Sequence, residues 1–453
     1  MSFWKRWIYK QRLKQGNVLN YFEQLQKWQW LDQKALKQLQ EKRLSNLLLH
    51  AYRHVPYYRE ILKESGVITS KEQVNLSSFE KIPFLTKDII RKEFEQLKSD
   101  DLNNREWYLN TSGGSTGEPV QFIQDKEYSE WSHAIKLLDD QWSNREIGDK
   151  QIRLWGSERD LLVGQETTKV RIGRYIRNER WLNAFRMTSE QMKEYIEVIN
   201  KFKPIQILAY VESIFELAKF IEQNKLTVHS PKSIMTSAGT LYPYMRETIE
   251  RVFQTKVFNR YGSREVGDIA CECEHHQGLH VSALTHYVEI IKENGTLAQP
   301  GEIGEIVVTS LTNYAMPLIR YRIGDMGKWA KGECDCGRVM PLIEEVNGRV
   351  TDFFINSYGK KIDGRIFNTF LWHRDFIKKY QVIQKNYNLI IVKIMLNNEE
   401  SVNPEIKFSN DLNNIKEDIR QVMGESCIVK FEFVDDIHPT ASGKYRYTIS
   451  EVR

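Results

Sequence analysis

Leu109-Asn-Thr-Ser-Gly-Gly-Ser-Thr-Gly-Glu-Pro-Val-Gln-Phe-Ile-Gln124 sets three glycines among four hydroxyl side chains and then runs into an apolar, strand-like segment. Gly113, Gly114 and Gly117 have no Cβ, so the backbone can approach a ligand closely. Ser112, Ser115 and Thr116 add hydroxyls, and the amides between them can wrap an anion. A polyphosphate is held in this way. The lysine-bearing phosphate loop is excluded, because Glu118 stands where its lysine is needed, and no Gly-x-Gly-x-x-Gly follows a strand. A flexible surface loop has the same composition, so the rest of the chain decides.

Outward from this loop, residues 126–144 read as an aromatic-rich helix and 151–156 as a short strand. Helices over 189–202 and 213–223 then alternate with strands over 205–210 and 233–237, the last running into Ala238-Gly239. Such alternation predicts a parallel α/β sheet. Ligands on these sheets collect at the carboxyl ends of strands. The loops after Tyr210, Ser237 and Phe258 all belong there, and the third carries Tyr261-Gly262-Ser263-Arg264-Glu265. From Val281 the pattern changes to strands with Gly turns, over 287–291, 305–309 and 317–321. The expected fold class is therefore α/β: a large domain over 1–347 with mixed parallel sheets and a β-rich subdomain at about 281–347. A small, mobile α+β domain follows over 348–453, with strands at 380–384, 389–396 and 428–434 and a helix at 412–423.

The chain has 453 residues, 65 Lys and Arg against 60 Asp and Glu, and a net charge of +5, too small a surplus to argue for nucleic acid. No apolar run is long enough to span a bilayer. No signal peptide precedes the first helix, so a cytoplasmic location is expected. Residues 3–15 mix aromatic and basic residues at helical spacing, as a helix on an anionic membrane surface does, or one packed on the body of the protein. Four of the five cysteines form two Cys-x-Cys pairs. Cys273, His280, Cys334 and Cys336 would make a Cys3His shell for a structural, tetrahedral Zn2+, with Cys271, His275 and His276 as alternates.

Taken in order, Thr-Ser-Gly-Gly-Ser-Thr-Gly-Glu-Pro (111–119), Tyr-Gly-Ser-Arg-Glu (261–265), Tyr-Arg-Ile-Gly-Asp (321–325), Gly-Arg-Val-Thr-Asp (348–352) and Pro-Thr-Ala-Ser-Gly-Lys-Tyr-Arg (439–446) resemble the adenylate-forming acyl-CoA synthetase superfamily. The likeness is strongest to its phenylacetate–CoA ligase and CapK-like branch, whose members often sit in bacterial surface-polysaccharide pathways. His54-Val-Pro-Tyr-Tyr-Arg59, Asn313-Tyr-Ala-Met-Pro-Leu-Ile-Arg320 and Cys334-Asp-Cys-Gly-Arg338 support that branch.

The resemblance implies an AMP-forming acid–thiol ligase with ATP, Mg2+ and, usually, coenzyme A. A carboxylate attacks the α-phosphate of ATP, and a thiol then takes the acyl group. Ser112, Gly113, Gly114, Ser115, Thr116 and Gly117 would hold the β- and γ-phosphates. Gly239, Tyr261, Gly262 and Ser263 would flank the nucleotide, and Asp325 would accept the ribose hydroxyls. Glu265 would bind Mg2+. Arg349 would reach the ribose and phosphate, and Lys444, on the mobile domain, would neutralise charge growing at the α-phosphate. Thr351 stands where relatives usually carry an Asp or Lys hinge. The acid pocket is expected between residues 131 and 210 and at 237–240, with Trp131, Trp155, Phe185 and Tyr210 as lining candidates. Two other functions fit the same residues: transfer of the adenylate to an amine, hydroxyl or carrier protein of an envelope precursor, and a zinc-stapled binding protein without catalysis.

Overall fold

An eleven-stranded sheet runs through the first of two compact units, which ends at Asn347, and a four-stranded sheet forms the centre of the second, which begins at Gly348. The computed structural model describes residues 3–112, 120–156, 168–184, 187–349, 353–364, 366–371, 374, 376–397, 403–438 and 446–452.

The large sheet has a parallel half and an antiparallel half. β3 (Gln151–Trp155), β4 (Glu179–Asn183), β5 (Gln206–Tyr210), β6 (Ser233–Ser237) and β7 (Lys256–Ser263) pair in parallel in the order β4-β3-β5-β6-β7. β5 and β6 are buried along their whole length, as parallel strands covered by helices must be. β7 then turns back into β8 (Gly267–Glu272), which pairs with β9 (Leu279–Val281). β10 (His286–Ile291), β11 (Ile303–Ser310), β12 (Tyr321–Trp329) and β13 (Leu342–Arg349) complete the sheet, with β13 beside β9.

The Lys126–Trp142 helix covers one face of the parallel half. Asp125 caps its start by accepting from the Tyr128 amide. Trp131, Ala134, Ile135 and Leu138 recur at helical spacing and pack with Leu208 and Met235 of the sheet.

One expected strand is absent. Residues 317–321 were expected to pair as a strand, but the strand begins at Tyr321. The preceding segment is bound instead by side chains. Tyr58 Oη donates to Pro317 O (3.1 Å) and accepts from Ile319 N (3.2 Å), while Asp125 accepts from the amides of Tyr314 and Ala315. With backbone groups satisfied in this way, no ladder is needed.

In the second unit, β14 (Ile377–Asn386) and β15 (Leu389–Leu396) form a hairpin, β16 (Ile428–Phe433) joins β15 in parallel, and β17 (Thr448–Ser450) joins β14. The Ser409–Met423 helix buries Leu412, Ile415, Ile419 and Met423 against this sheet. No helix among the described residues is long and apolar enough to cross a membrane.

Candidate active site

β1 (Trp107–Thr111) and β2 (Gln121–Asp125) are the antiparallel stem of the glycine-rich loop. At the loop's neck Ser112 N donates to Val120 O (2.8 Å) and Val120 N donates to Ser112 Oγ (2.9 Å). Ser112 therefore closes the stem, its hydroxyl oxygen accepting from the Val120 amide. Gly113, Gly114, Ser115, Thr116 and Gly117 lie outside the described residues, as do Lys444, Thr351 and Phe185.

The strand leaving the loop reaches the β7–β8 turn through one buried amide. Gln124 Nε2 donates to the carbonyls of Arg264 (2.9 Å) and Glu265 (3.2 Å), and its Oε1 accepts from Asn110 Nδ2 (3.0 Å). Glu265 is buried, and its Oε1 accepts from Tyr321 Oη at 3.3 Å. Tyr261 Oη donates to Asp325 Oδ2 at 2.9 Å. Residues from three separate sequence motifs thus meet at the carboxyl end of β7.

Glycines permit these approaches. A Cβ on Gly262 would lie 2.4 Å from Gly267 O, and one on Gly239 would lie 2.4 Å from a Glu212 carboxylate oxygen. Ser263 follows Gly262 at the end of β7, paired with Gly267. The β11–β12 register shifts opposite Asp325, where Gly324 has φ +85°, a conformation that turns the Asp325 backbone out of the regular ladder. Burial, with Asp325 adding to it, pushes the Glu305 carboxyl up, and Arg322 opposes them. Arg349 is the last residue of β13.

Gln124 and Tyr321 were missed from the sequence. For the first the available signal was a glutamine directly after the apolar pair Phe122-Ile123. For the second it was the aromatic residue opening the motif that ends in Asp325.

Both ends of the Asn313–Arg320 motif, which pointed to the CapK-like branch, are structural. Arg320 is buried and forms a two-pronged pair with Glu289 (3.1 and 2.9 Å), donating also to Ile82 O. Asn313 Nδ2 ties Ile123 O to Met316 O. In the acid-pocket region Trp155 and Tyr210 have ring centroids 4.1 Å apart. Trp131 is not with them: it stacks on Tyr21 at 3.9 Å beneath the Arg43 guanidinium.

Cys273 follows β8, His280 lies on β9, and Cys334 and Cys336 stand between β12 and β13. Their ligand atoms all lie within 4.8 Å of one another. Cys273 Sγ and Cys334 Sγ are 3.6 Å apart, and Cys336 Sγ is 3.3 Å from His280 Nε2. Sulfurs about 2.3 Å from a tetrahedral Zn2+ stand roughly 3.8 Å apart, whereas a disulfide needs about 2 Å, so the donor set fits a metal. Cys271 and His276 are placed elsewhere, the latter on Glu272 at 3.2 Å. Behind the cluster Gln29 Oε1 accepts from Trp142 Nε1 and Arg338 Nε, each at 2.9 Å. Trp142 in turn meets the His280 ring edge-on at 5.8 Å.

Residues 354–451 match the family model of the CapK C-terminal domain. Protein CapK of Staphylococcus aureus is 25% identical over 97% of this chain and 94% of its own length. A phenylacetate–coenzyme A ligase of Pseudomonas putida is 27% identical over 71% of this chain and 72% of its own. Among solved structures, 2-hydroxyisobutyryl-CoA ligase in complex with an acyl-AMP shares the fold at a TM-score of 0.66 and 16% identity, over 92% of this chain and 89% of that one.

Proposed function

This chain belongs to the phenylacetate–CoA ligase and CapK-like branch of the adenylate-forming acyl-CoA synthetase superfamily, and we propose that it activates a carboxylic acid as acyl-AMP and passes the acyl group to the thiol of coenzyme A. The observation that carries this is the meeting of Tyr261 with Asp325 and of Glu265 with Tyr321 beside the stem of the glycine-rich loop. Glu265 and Tyr321 are buried and Tyr261 and Asp325 half-buried, and the carboxyl end of a strand is where an α/β sheet collects its ligands.

In this scheme the acid's carboxylate oxygen attacks the α-phosphorus and pyrophosphate leaves. The loop amides and hydroxyls from Ser112 to Gly117 grip the phosphates. Tyr261 lays its ring against the adenine while its hydroxyl orients Asp325, which accepts from the ribose. Glu265, held by Tyr321 and Gln124, is the Mg2+ ligand, and the ion offsets phosphate charge when bound. Arg349 and Lys444 supply the cations for the transition state. The Cys3His cluster holds a structural Zn2+. The chain's place in surface-polysaccharide metabolism is part of the same proposal.

A membrane contact also belongs here. The Phe3–Lys14 and Thr168–Ile176 helices contain eight basic residues and no acidic one. They expose Trp4, Trp7, Val170, Ile172 and Tyr175, with Trp4 and Tyr175 rings 6.2 Å apart. An anionic bilayer matches both the charge and the apolar rings.

ATP–pyrophosphate exchange across a panel of acids tests the first half-reaction. Exchange that is lost in Lys444→Gln supports the scheme, and exchange by no acid removes it. Product formation that needs coenzyme A assigns the acceptor; product formed with an amine alone replaces the thiol by that acceptor.

A further inference from the structure

Register fixes which side chains line one face of the parallel half. Arg153, Leu208, Met235 and Phe258 stand opposite one another across β3, β5, β6 and β7. Two residues on, Trp155, Tyr210, Ser237 and Arg260 share that face at its carboxyl-end edge. The Trp155–Tyr210 pair makes an aromatic wall there. The β7 side is different, because it is charged.

Arg260 is only 8% exposed, yet its Nε has no hydrogen-bond partner among the described residues, and neither does Asp268 Oδ2. Arg260 Nε stands 3.4 Å from Asp268 Oδ1, and Lys136 Nζ, reaching down from the covering helix past Ser132, stands 3.8 Å from Asp268 Oδ2. The Lys136 side chain remains 43% exposed. Two cations thus share one carboxylate at separations longer than hydrogen bonds. Nearby, Glu179 also faces two cations, Arg153 Nε at 4.0 Å and Arg177 Nε at 3.2 Å. Asp139 Oδ2 is unpartnered among the described residues as well, and burial pushes its carboxyl up as it pushes the Lys136 ammonium down. Buried polar groups left short of partners in a native fold call for a bound water or ion, and an anionic group would satisfy both Arg260 Nε and Lys136 Nζ.

We propose that Lys136, Arg260 and Asp268 form a subsite at the far end of the acid pocket that takes a second anionic group, so that the substrate is a dianionic acid and not an unsubstituted aryl acid. The proposal rests on the chain being an acid-activating ligase. Lys136 is the specificity-determining residue: it is the accessible cation, and Arg260 sits behind it as fixed charge. An apolar substituent placed there would desolvate Lys136 beside the buried Arg260 without pairing either cation, which disfavours binding.

The test uses the full chain and matched acids, adipate against hexanoate and 4-carboxyphenylacetate against phenylacetate. In pyrophosphate exchange the dianion of each pair should have the higher kcat/KM by roughly 10- to 100-fold, the value of a charge-assisted contact. Lys136→Gln should collapse that ratio to within a few-fold, through KM more than kcat, and Lys136→Arg should restore it. Adipate without nucleotide should raise the melting temperature of the native protein and not of Lys136→Gln. That shift without any exchange would overturn the ligase reading and leave the anion site standing. No shift with either dianion, or a preference for the monocarboxylates that Lys136→Gln leaves unchanged, would overturn the subsite.

Discussion

Tyr261 Oη donates a 2.9 Å hydrogen bond to Asp325 Oδ2, across 64 residues of chain. One partner lies two residues before the end of β7 and the other sits on β12 just after a glycine of positive φ, so the contact is built by two strands of the same sheet. If Asp325 accepts from the ribose, the tyrosine fixes the direction of its remaining lone pairs. Tyr261→Phe keeps the ring and removes only that constraint. A hydrogen bond to a carboxylate is worth about 1.5–3 kcal/mol, so KM for ATP should rise roughly 10- to 100-fold. Thermal melting should move little; a matching loss of stability would make the pair structural.

Glu265 and Gln124 act in series. Glu265→Gln removes the charge proposed for Mg2+ while leaving a group that Tyr321 can reach, and exchange activity should fall by at least about 100-fold. Gln124→Leu keeps the volume but frees the carbonyls of Arg264 and Glu265. It should raise the Mg2+ concentration needed for half-maximal rate, and an unchanged requirement would remove Gln124 from the site.

Much of the frame is visible in the residue order. The helix Ser189–Phe202 and strand β6 begin and end where Thr188, Phe202 and the buried run Ser233–Ser237 place them, because capping and hydrophobic length are local properties. Residues 317–321 misled because Pro-Leu-Ile-Arg-Tyr looks like a strand, while Tyr58 and Asp125, distant in sequence, bind its neighbourhood instead. The Cys273, His280, Cys334 and Cys336 cluster was legible from two Cys-x-Cys pairs and a nearby histidine, although spacing alone left Cys271, His275 and His276 as alternates. The Arg260–Asp268–Lys136 cluster was not, since its members share a site only through strand register and helix packing.

The Cys3His cluster should hold about one Zn2+ per chain by elemental analysis. It joins the end of β8 and β9 to the segment between β12 and β13, so Cys334→Ser should lower both metal content and melting temperature. Chelator should reproduce the loss in the native protein and have no further effect on the variant. A metal-free protein with unchanged melting would exclude the site.

His133 gives the fold a pH dependence. It bonds Tyr9 Oη at 3.0 Å, and burial, reinforced by Lys136 and Arg177, pushes its pKa down to about 4. The unfolded chain binds this proton near pH 6.5, so the contribution is intact above that value and is lost as pH falls toward about 4. Its size is on the order of 2 kcal/mol for a partly buried ring. Urea melts of His133→Gln at pH 7 and pH 5 should show a smaller acid loss than the native protein; equal losses would assign the acid sensitivity elsewhere.

Trp4 and Trp7 test the membrane surface. They lie on the exposed side of a helix whose other side buries Tyr9 and Leu13, and Lys5 Nζ sits 3.4 Å from the Tyr175 ring, joining the two basic helices. Binding to such a surface has a charge part and an insertion part. The charge part is screened by salt, and each Lys or Arg near an anionic surface adds about 1 kcal/mol. The protein should therefore sediment with vesicles containing phosphatidylglycerol, far less with pure phosphatidylcholine, and be released by about 0.5 M NaCl. Trp4→Ser with Trp7→Ser should weaken binding at least about ten-fold while leaving its salt dependence intact, because the ring insertion is lost and the charge is not. A self-associating protein in light scattering, whose dimer the same double substitution breaks, would assign the rings to a second copy of the chain and remove the bilayer as their partner.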